Sequence, residues 1–129
     1  MTHQNNWQEN GLCRVYSGKV SGDEVLSSNL VIQGDPRFAD IKYVINDFTR
    51  ITEFIVGKVD ILNIAASDSI AAIDNISSHS NPVLKIAIVA VFEPLLEWIN
   101  LYIETMQGSP LQCKFFPSID EAYTWVNEV

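Results

Sequence analysis

From Val83 to Val91 the chain reads Val-Leu-Lys-Ile-Ala-Ile-Val-Ala-Val, with a single polar side chain. A strand with one face in water alternates apolar and polar residues, so a nearly continuous apolar run belongs to a strand covered on both faces. Strands of that kind lie inside parallel sheets, and parallel neighbours need crossover connections, most often helices. The run therefore predicts an α/β fold with Val83–Val91 at the centre of a parallel sheet.

The rest of the chain supplies the partners such a strand requires. Asn10-Gly11, with Trp7 before it and Leu12, Val15, Tyr16 and Val20 after it, predicts a tight hairpin whose central residues take positive φ. Ser21-Gly22-Asp23-Glu24 has the form of a capping box and opens a helix to about Gln33, stopped by Gly34 and Pro36. Ile41–Asp47 returns to strand character. Val59–Ile76 reads as a second helix with the stripe Leu62, Ala65, Ala66, Ile73 and Ile76, its alanines, Ala71 and Ala72 included, allowing close approach to a sheet. Pro94 suits the first turn of a third helix, Glu93–Gln107. Leu111–Phe116 forms the last strand, and Ser118-Ile119-Asp120-Glu121 caps a final helix that buries Ile119, Ala122, Trp125 and Val126. The expectation is one α/β domain over residues 1–129: a five-stranded mixed, mainly parallel sheet, antiparallel only at its N-terminal hairpin, with four main helices.

The third helix carries more apolar surface than one docking face needs. At 100° per residue Glu93, Glu97, Asn100, Glu104 and Gln107 gather into a polar stripe about 80° wide. Leu95, Leu96, Trp98, Ile99, Leu101, Tyr102, Ile103 and Met106 spread over an arc of about 220°, against the roughly 100° of an ordinary surface helix. Neighbouring helices, a second subunit, a hydrophobic ligand and a membrane surface are the candidates to cover the surplus.

Charge and motif content exclude several function classes. Sixteen acidic against eight basic side chains give a net charge of −8, which opposes nucleic acid and anionic headgroups. The N-terminus lacks a signal-peptide pattern and Ile86–Phe92 is far too short to span a membrane, so a cytoplasmic protein is expected. Asn75-Ile76-Ser77 matches a glycosylation acceptor but carries no weight without secretion. Cys13 and Cys113 have no metal or redox spacing. The glycines stand singly, and no nucleophile elbow, dinucleotide turn or phosphate loop is present. His3 and His79 lie far apart in sequence. Asp47 and Asp60 are the one pair with the makings of acid/base chemistry, although a strand-end residue and a helix N-terminal carboxylate explain them as well. No catalytic residue, metal site or cofactor is expected.

The order of hairpin, Gly18-Lys19-Val20-Ser21-Gly22-Asp23-Glu24, strand ending at Asp47, Ala-rich helix, Lys85-Ile86-Ala87-Ile88-Val89 and closing Phe116-Pro117-Ser118-Ile119-Asp120-Glu121-Ala122-Tyr123-Thr124-Trp125 resembles the SpoIIAA-like proteins. These belong with the STAS domains of anti-sigma-factor antagonists and share a β/α superhelical fold with CRAL-TRIO lipid-binding domains. The resemblance spans about Leu12–Glu128 and implies parallel strands in sequence order with helices packed against them. It also implies, in partner-switching antagonists, a phosphorylatable serine in the turn opening the second helix. Here that turn is Ile55-Val56-Gly57-Lys58, without a hydroxyl, and Thr49 and Thr52 stand at the wrong offset. Phe54-Ile55-Val56 instead forms an apolar patch at the end of the sheet where open α/β folds receive ligands.

Two function classes follow. In the first, a non-catalytic domain binds a hydrophobic small molecule or lipid between the helix 93–107 and the sheet, with peripheral membrane contact as an extension. Leu95, Trp98, Ile99 and Tyr102 line one wall and Phe54, Ile55 and Val59 the other. In the second, the domain is a STAS-type protein-interaction module without the phosphoserine switch, a homodimer included, anchored by Trp98 and Tyr102.

Overall fold

In the computed structural model the apolar run becomes an interior strand. The structure describes residues 3–78, 84–91 and 93–128, with residues 72–78 as backbone alone. Val83, Phe92, His79 and the side chains of Ala72, Ile73 and Ile76 thus lie outside the described residues. Five strands, β1 (His3–Trp7), β2 (Gly11–Ser21), β3 (Tyr43–Ile55), β4 (Lys85–Val89) and β5 (Gln112–Phe116), lie side by side in sequence order. β1 runs antiparallel to β2, and every other pair is parallel. The crossovers are α1 (Gly22–Gln33) with a 3-10 turn at Pro36–Asp40, α2 (Lys58–Ser78) and α3 (Glu93–Thr105), and α4 (Ile119–Val126) follows β5.

Strand alternation divides the interior in two. Leu12, Val44, Phe48, Ile86 and Ile88 pack with residues of α1, α2 and α3, whereas Cys13, Ile45, Ala87, Val89 and Phe116 pack with Ala122 and Val126 of α4. β4 is covered from both sides, which accounts for its having no polar residue after Lys85.

Three local expectations are corrected. The hairpin loop is Gln8-Glu9-Asn10, closed by Gln8 N–H donating to the Gly11 carbonyl at 2.8 Å, and neither Asn10 nor Gly11 has positive φ. Gly11 opens β2, and its lack of a side chain admits the Tyr43 ring, which stands where a Cβ would go. Close approach, not turn chemistry, demands that glycine. β3 runs on past Asp47 to Ile55, paired with β2 through two register shifts while β4 stops opposite Asp47. The Phe48–Ile55 segment, rich in Thr, Ile and Phe, suits that two-stranded extension. On α2 the buried stripe is Ile61, Ile64, Ala65 and Asp68, while Leu62 is 39% exposed and Ala66 lies outward. α2 is apolar on several sides, so periodicity alone does not select its inner face.

The caps form as the sequence implies, with one variation each. Ser21 accepts from the Glu24 amide at 3.2 Å, while the Glu24 carboxylate turns to His3 Nδ1 at 3.3 Å. Ser118 accepts from the Glu121 amide at 3.3 Å and donates its hydroxyl to the Glu121 carboxylate at 2.9 Å. At the far end of α4, Lys85 Nζ donates to the carbonyls of Trp125 at 3.0 Å and Glu128 at 3.2 Å, setting a cation on the negative end of the helix.

Candidate functional site

A cavity of about 60 Å³ opens between the sheet and the inner faces of α2 and α3. Its apolar lining comes from Phe48 and Phe54 on β3, Ile61 and Ile64 on α2, Ile88 on β4, and Leu95, Trp98 and Ile99 on α3. Asn29, Asn46, Asp68 and Tyr102 supply polar atoms to the same wall.

The α3 periodicity puts its members in place. Leu95, Ile99 and Tyr102, at steps of four and three, are buried, and Met106 continues the row just past the helix. Leu96, Trp98, Leu101 and Ile103 flank that row and are half-buried against the same core. The wide apolar arc is thus largely taken up within the domain, and Trp98 keeps partial exposure beside the cavity.

Five of the seven residues expected to line a pocket do so: Phe54, Leu95, Trp98, Ile99 and Tyr102. Ile55 is 51% exposed and Val59 68% exposed, both outside the cavity, and Ile61 and Ile64 form the wall assigned to them. Strand alternation sets Ile55 on the opposite side of β3 from Phe54, and the rotated face of α2 turns Val59 to solvent along with Leu62. Tyr102, buried on the inner face of α3, is not placed to anchor a partner protein.

Beneath the apolar lining lies a polar cluster that the sequence reading missed. Arg14 on β2 is 1% exposed, and its guanidinium donates to Asn5 Oδ1 at 3.2 Å, to Asn29 Oδ1 and to Ser28 Oγ. Ser28 Oγ also meets the Tyr16 hydroxyl at 3.0 Å. Asn29 carries the chain onward, its Nδ2 donating to Asp68 Oδ1 at 3.2 Å. Gln33 Nε2 donates to the same oxygen at 2.9 Å, and the Tyr102 hydroxyl donates to Asp68 Oδ2 at 2.7 Å. One buried cation and one buried carboxylate are thereby linked through an amide, with hydrogen bonds compensating much of their desolvation. Burial pushes the Asp68 carboxyl up to about 6, against the opposing pull of Tyr102, Arg14, Gln33 and Asn29. Burial likewise lowers the Arg14 guanidinium, offset by Tyr16 and Asp68.

A sequence signal for this cluster exists. Ser28 and Asn29 stand between Val25 and Ile32, and Asp68 follows Ile61, Ile64 and Ala65, so all three occupy core positions of helical stripes. Polar residues at such positions are costly unless satisfied, which marks them as built features.

The remaining candidates hold local structure. Asp47 Oδ1 accepts from the Thr49 amide at 2.9 Å and Asp60 Oδ2 from the Gly57 amide at 2.8 Å. Strand alternation sets Asp47 on the α4 side of the sheet, away from α2, so no acid/base pair forms with Asp60. The Ile55–Lys58 turn does join β3 to α2, as the resemblance requires. Cys13 and Cys113, both free thiols, sit on β2 and β5 with β3 and β4 between them, about 14 Å apart at ordinary strand spacing. Among the described residues no group of His, Cys, Asp and Glu has metal-holding geometry, and no helix is long and apolar enough to cross a membrane.

No protein-family model matches the sequence, and the search of curated proteins found no significant match. Among solved structures, the chain is similar to an uncharacterised protein of the DUF3478 family from Shewanella loihica PV-4, described as having a SpoIIAA-like fold. The two are 15% identical with a TM-score of 0.52, over 96% of this chain and 91% of that one. The likeness runs over nearly the whole length of both chains: this chain, a five-stranded mixed sheet with four helices, has the SpoIIAA-like fold.

Proposed function

We propose that the protein is a non-catalytic binding domain that receives a small hydrophobic molecule between α3 and the sheet. The observation that carries this reading is the cavity itself: a mostly apolar lining with a few convergent polar groups is the usual make-up of a ligand site. Its volume of about 60 Å³ is well below the roughly 150 Å³ of a cavity that holds benzene, so entry requires α3 to give way. A lipid chain demands a still larger displacement of the same helix.

The test is a benzene titration of the ¹⁵N-labelled full chain. Binding at this site moves the amide resonances of Phe54, Leu95 and Ile99, and Ile64→Phe, which fills the space, removes the effect. Shifts elsewhere, or none at saturation, would overturn the reading.

A second reading, a protein-interaction module, is favoured by one observation. Val59, Leu62, Ala66 and Ile70 form an exposed apolar row along α2, at steps of three and four. A second copy or another protein is the natural cover, and concentration-dependent sedimentation that Leu62→Glu abolishes would support that reading over the first.

A further inference from the structure

We propose that the head group this cavity selects is a neutral hydrogen-bond donor, a hydroxyl above all, received by Asn46 Oδ1. The inference rests on the cavity reading above and adds the chemistry of the ligand's polar end. In the sheet register Asn46 lies between Arg14 on β2 and Ile88 on β4, its side chain on the face toward α1, α2 and α3. Its Oδ1 is fully enclosed and has no hydrogen-bond partner among the described residues, whereas the polar groups around it are committed. Arg14 serves Asn5, Asn29 and Ser28, and Asp68 takes donors from Asn29, Gln33 and Tyr102. A buried acceptor without a donor is costly, and a ligand hydroxyl that reaches it as α3 gives way would remove that cost on binding.

Charge decides against ionised heads. The single Arg14 guanidinium and the single Asp68 carboxylate balance within the cluster, so a bound cation would bring in an unmatched charge. An anion would lie against the Asp68 carboxylate and the Asn46 Oδ1 acceptor, both of which repel it. Arg14 lines a smaller neighbouring cavity and not this one, so it is not placed to receive an anion. The body beyond the head is apolar, to match Phe54, Leu95 and Ile99.

The experiment holds the body constant and changes the head. Benzene, phenol, benzoate and benzylammonium are titrated near neutral pH into the wild-type chain and into Asn46→Leu, followed by amide NMR. Phenol is expected to bind wild type up to about tenfold more tightly than benzene, the range of one net hydrogen bond. Benzoate and benzylammonium fall below both. Asn46→Leu keeps benzene and loses the phenol advantage. Equal affinities for benzene and phenol in wild type, or a phenol preference surviving in Asn46→Leu, would overturn the head-group assignment while leaving the cavity reading intact. Failure of all four probes overturns the cavity reading, and this inference with it. Should Asn46→Leu not fold, the wild-type ranking of the four probes decides.

Discussion

Asp68 is a carboxyl buried on the inner face of α2 and raised to about 6. In the unfolded chain an aspartate titrates near 3.9, so between about pH 4 and 6 the folded state holds more protons than the unfolded one. This group's contribution to stability is therefore complete below about pH 4 and is lost as pH rises through about 6, by roughly 3 kcal/mol in total. Comparing thermal unfolding of wild type and Asp68→Asn across that window isolates the slope. The difference between the two should move in favour of Asp68→Asn as pH rises, and a constant difference would show that the carboxyl titrates normally. The cysteines make a second residue-scale case. Burial raises the Cys13 thiol and pushes the Cys113 thiol up to about 12, so little thiolate is present near neutral pH. A thiol reagent should leave the native protein almost untouched and count two groups once it is denatured, and a count of none would mean that the pair is oxidised.

At the scale of the element, α3 and α2 exchange the roles that their sequences suggest. α3 has the wider apolar arc yet buries most of it, with Leu95 2% and Ile99 5% exposed, while α2 leaves Val59, Leu62 and Ile70 in solvent. Leu95→Ala should thus cost about 2 to 5 kcal/mol, the range of a buried leucine truncation. Trp98→Ala, from a half-buried position, should fall below that range in unfolding measurements and act mainly on benzene affinity. A loss as large as that of Leu95→Ala, with benzene binding unchanged, would make Trp98 ordinary core. Leu62→Glu and Ile70→Glu should each change stability by no more than about 0.5 kcal/mol, as exposed positions do. Element existence was readable because caps, Pro94 and the Val83–Val91 run each point one way. The inner face of α2 was not, because Ile61, Leu62, Ile64, Ala65 and Ala66 offer two stripes of similar hydropathy and the deciding contact, Asp68 with Tyr102, joins residues on different helices. The extension of β3 escaped for a similar reason. Its polar Thr49, Arg50, Thr52 and Glu53 look like a loop until β2 supplies a partner.

Across the whole molecule, the sheet separates two interiors of unequal character. The α4 side is a small apolar core, closed by Lys85 on the last turn of the helix, whereas the other side combines the larger core with the Arg14–Asn29–Asp68 cluster and the cavity. The fold was legible because its order follows from local signals, but the candidate site was legible only in part. Phe54, Leu95, Trp98, Ile99 and Tyr102 are apolar or aromatic and periodic, while the polar floor arises from β2, β3, α1 and α2 meeting in space. This asymmetry has a dynamic consequence. A ligand larger than about 60 Å³ must displace α3, which packs on α2 and β5, whereas β4 and β3 up to Asp47 are paired on both sides. Native-state hydrogen exchange should therefore show α3 amides opening at lower free energy than those of β3 and β4, as a sub-global unit. Benzene should then raise the protection of α3 by RT ln(1 + [L]/Kd) at the concentration used, wherever the open form does not bind it. If α3 and β4 exchange together at the global unfolding energy while benzene still binds, the ligand enters without movement of the helix, and α3 is a fixed wall instead of a gate.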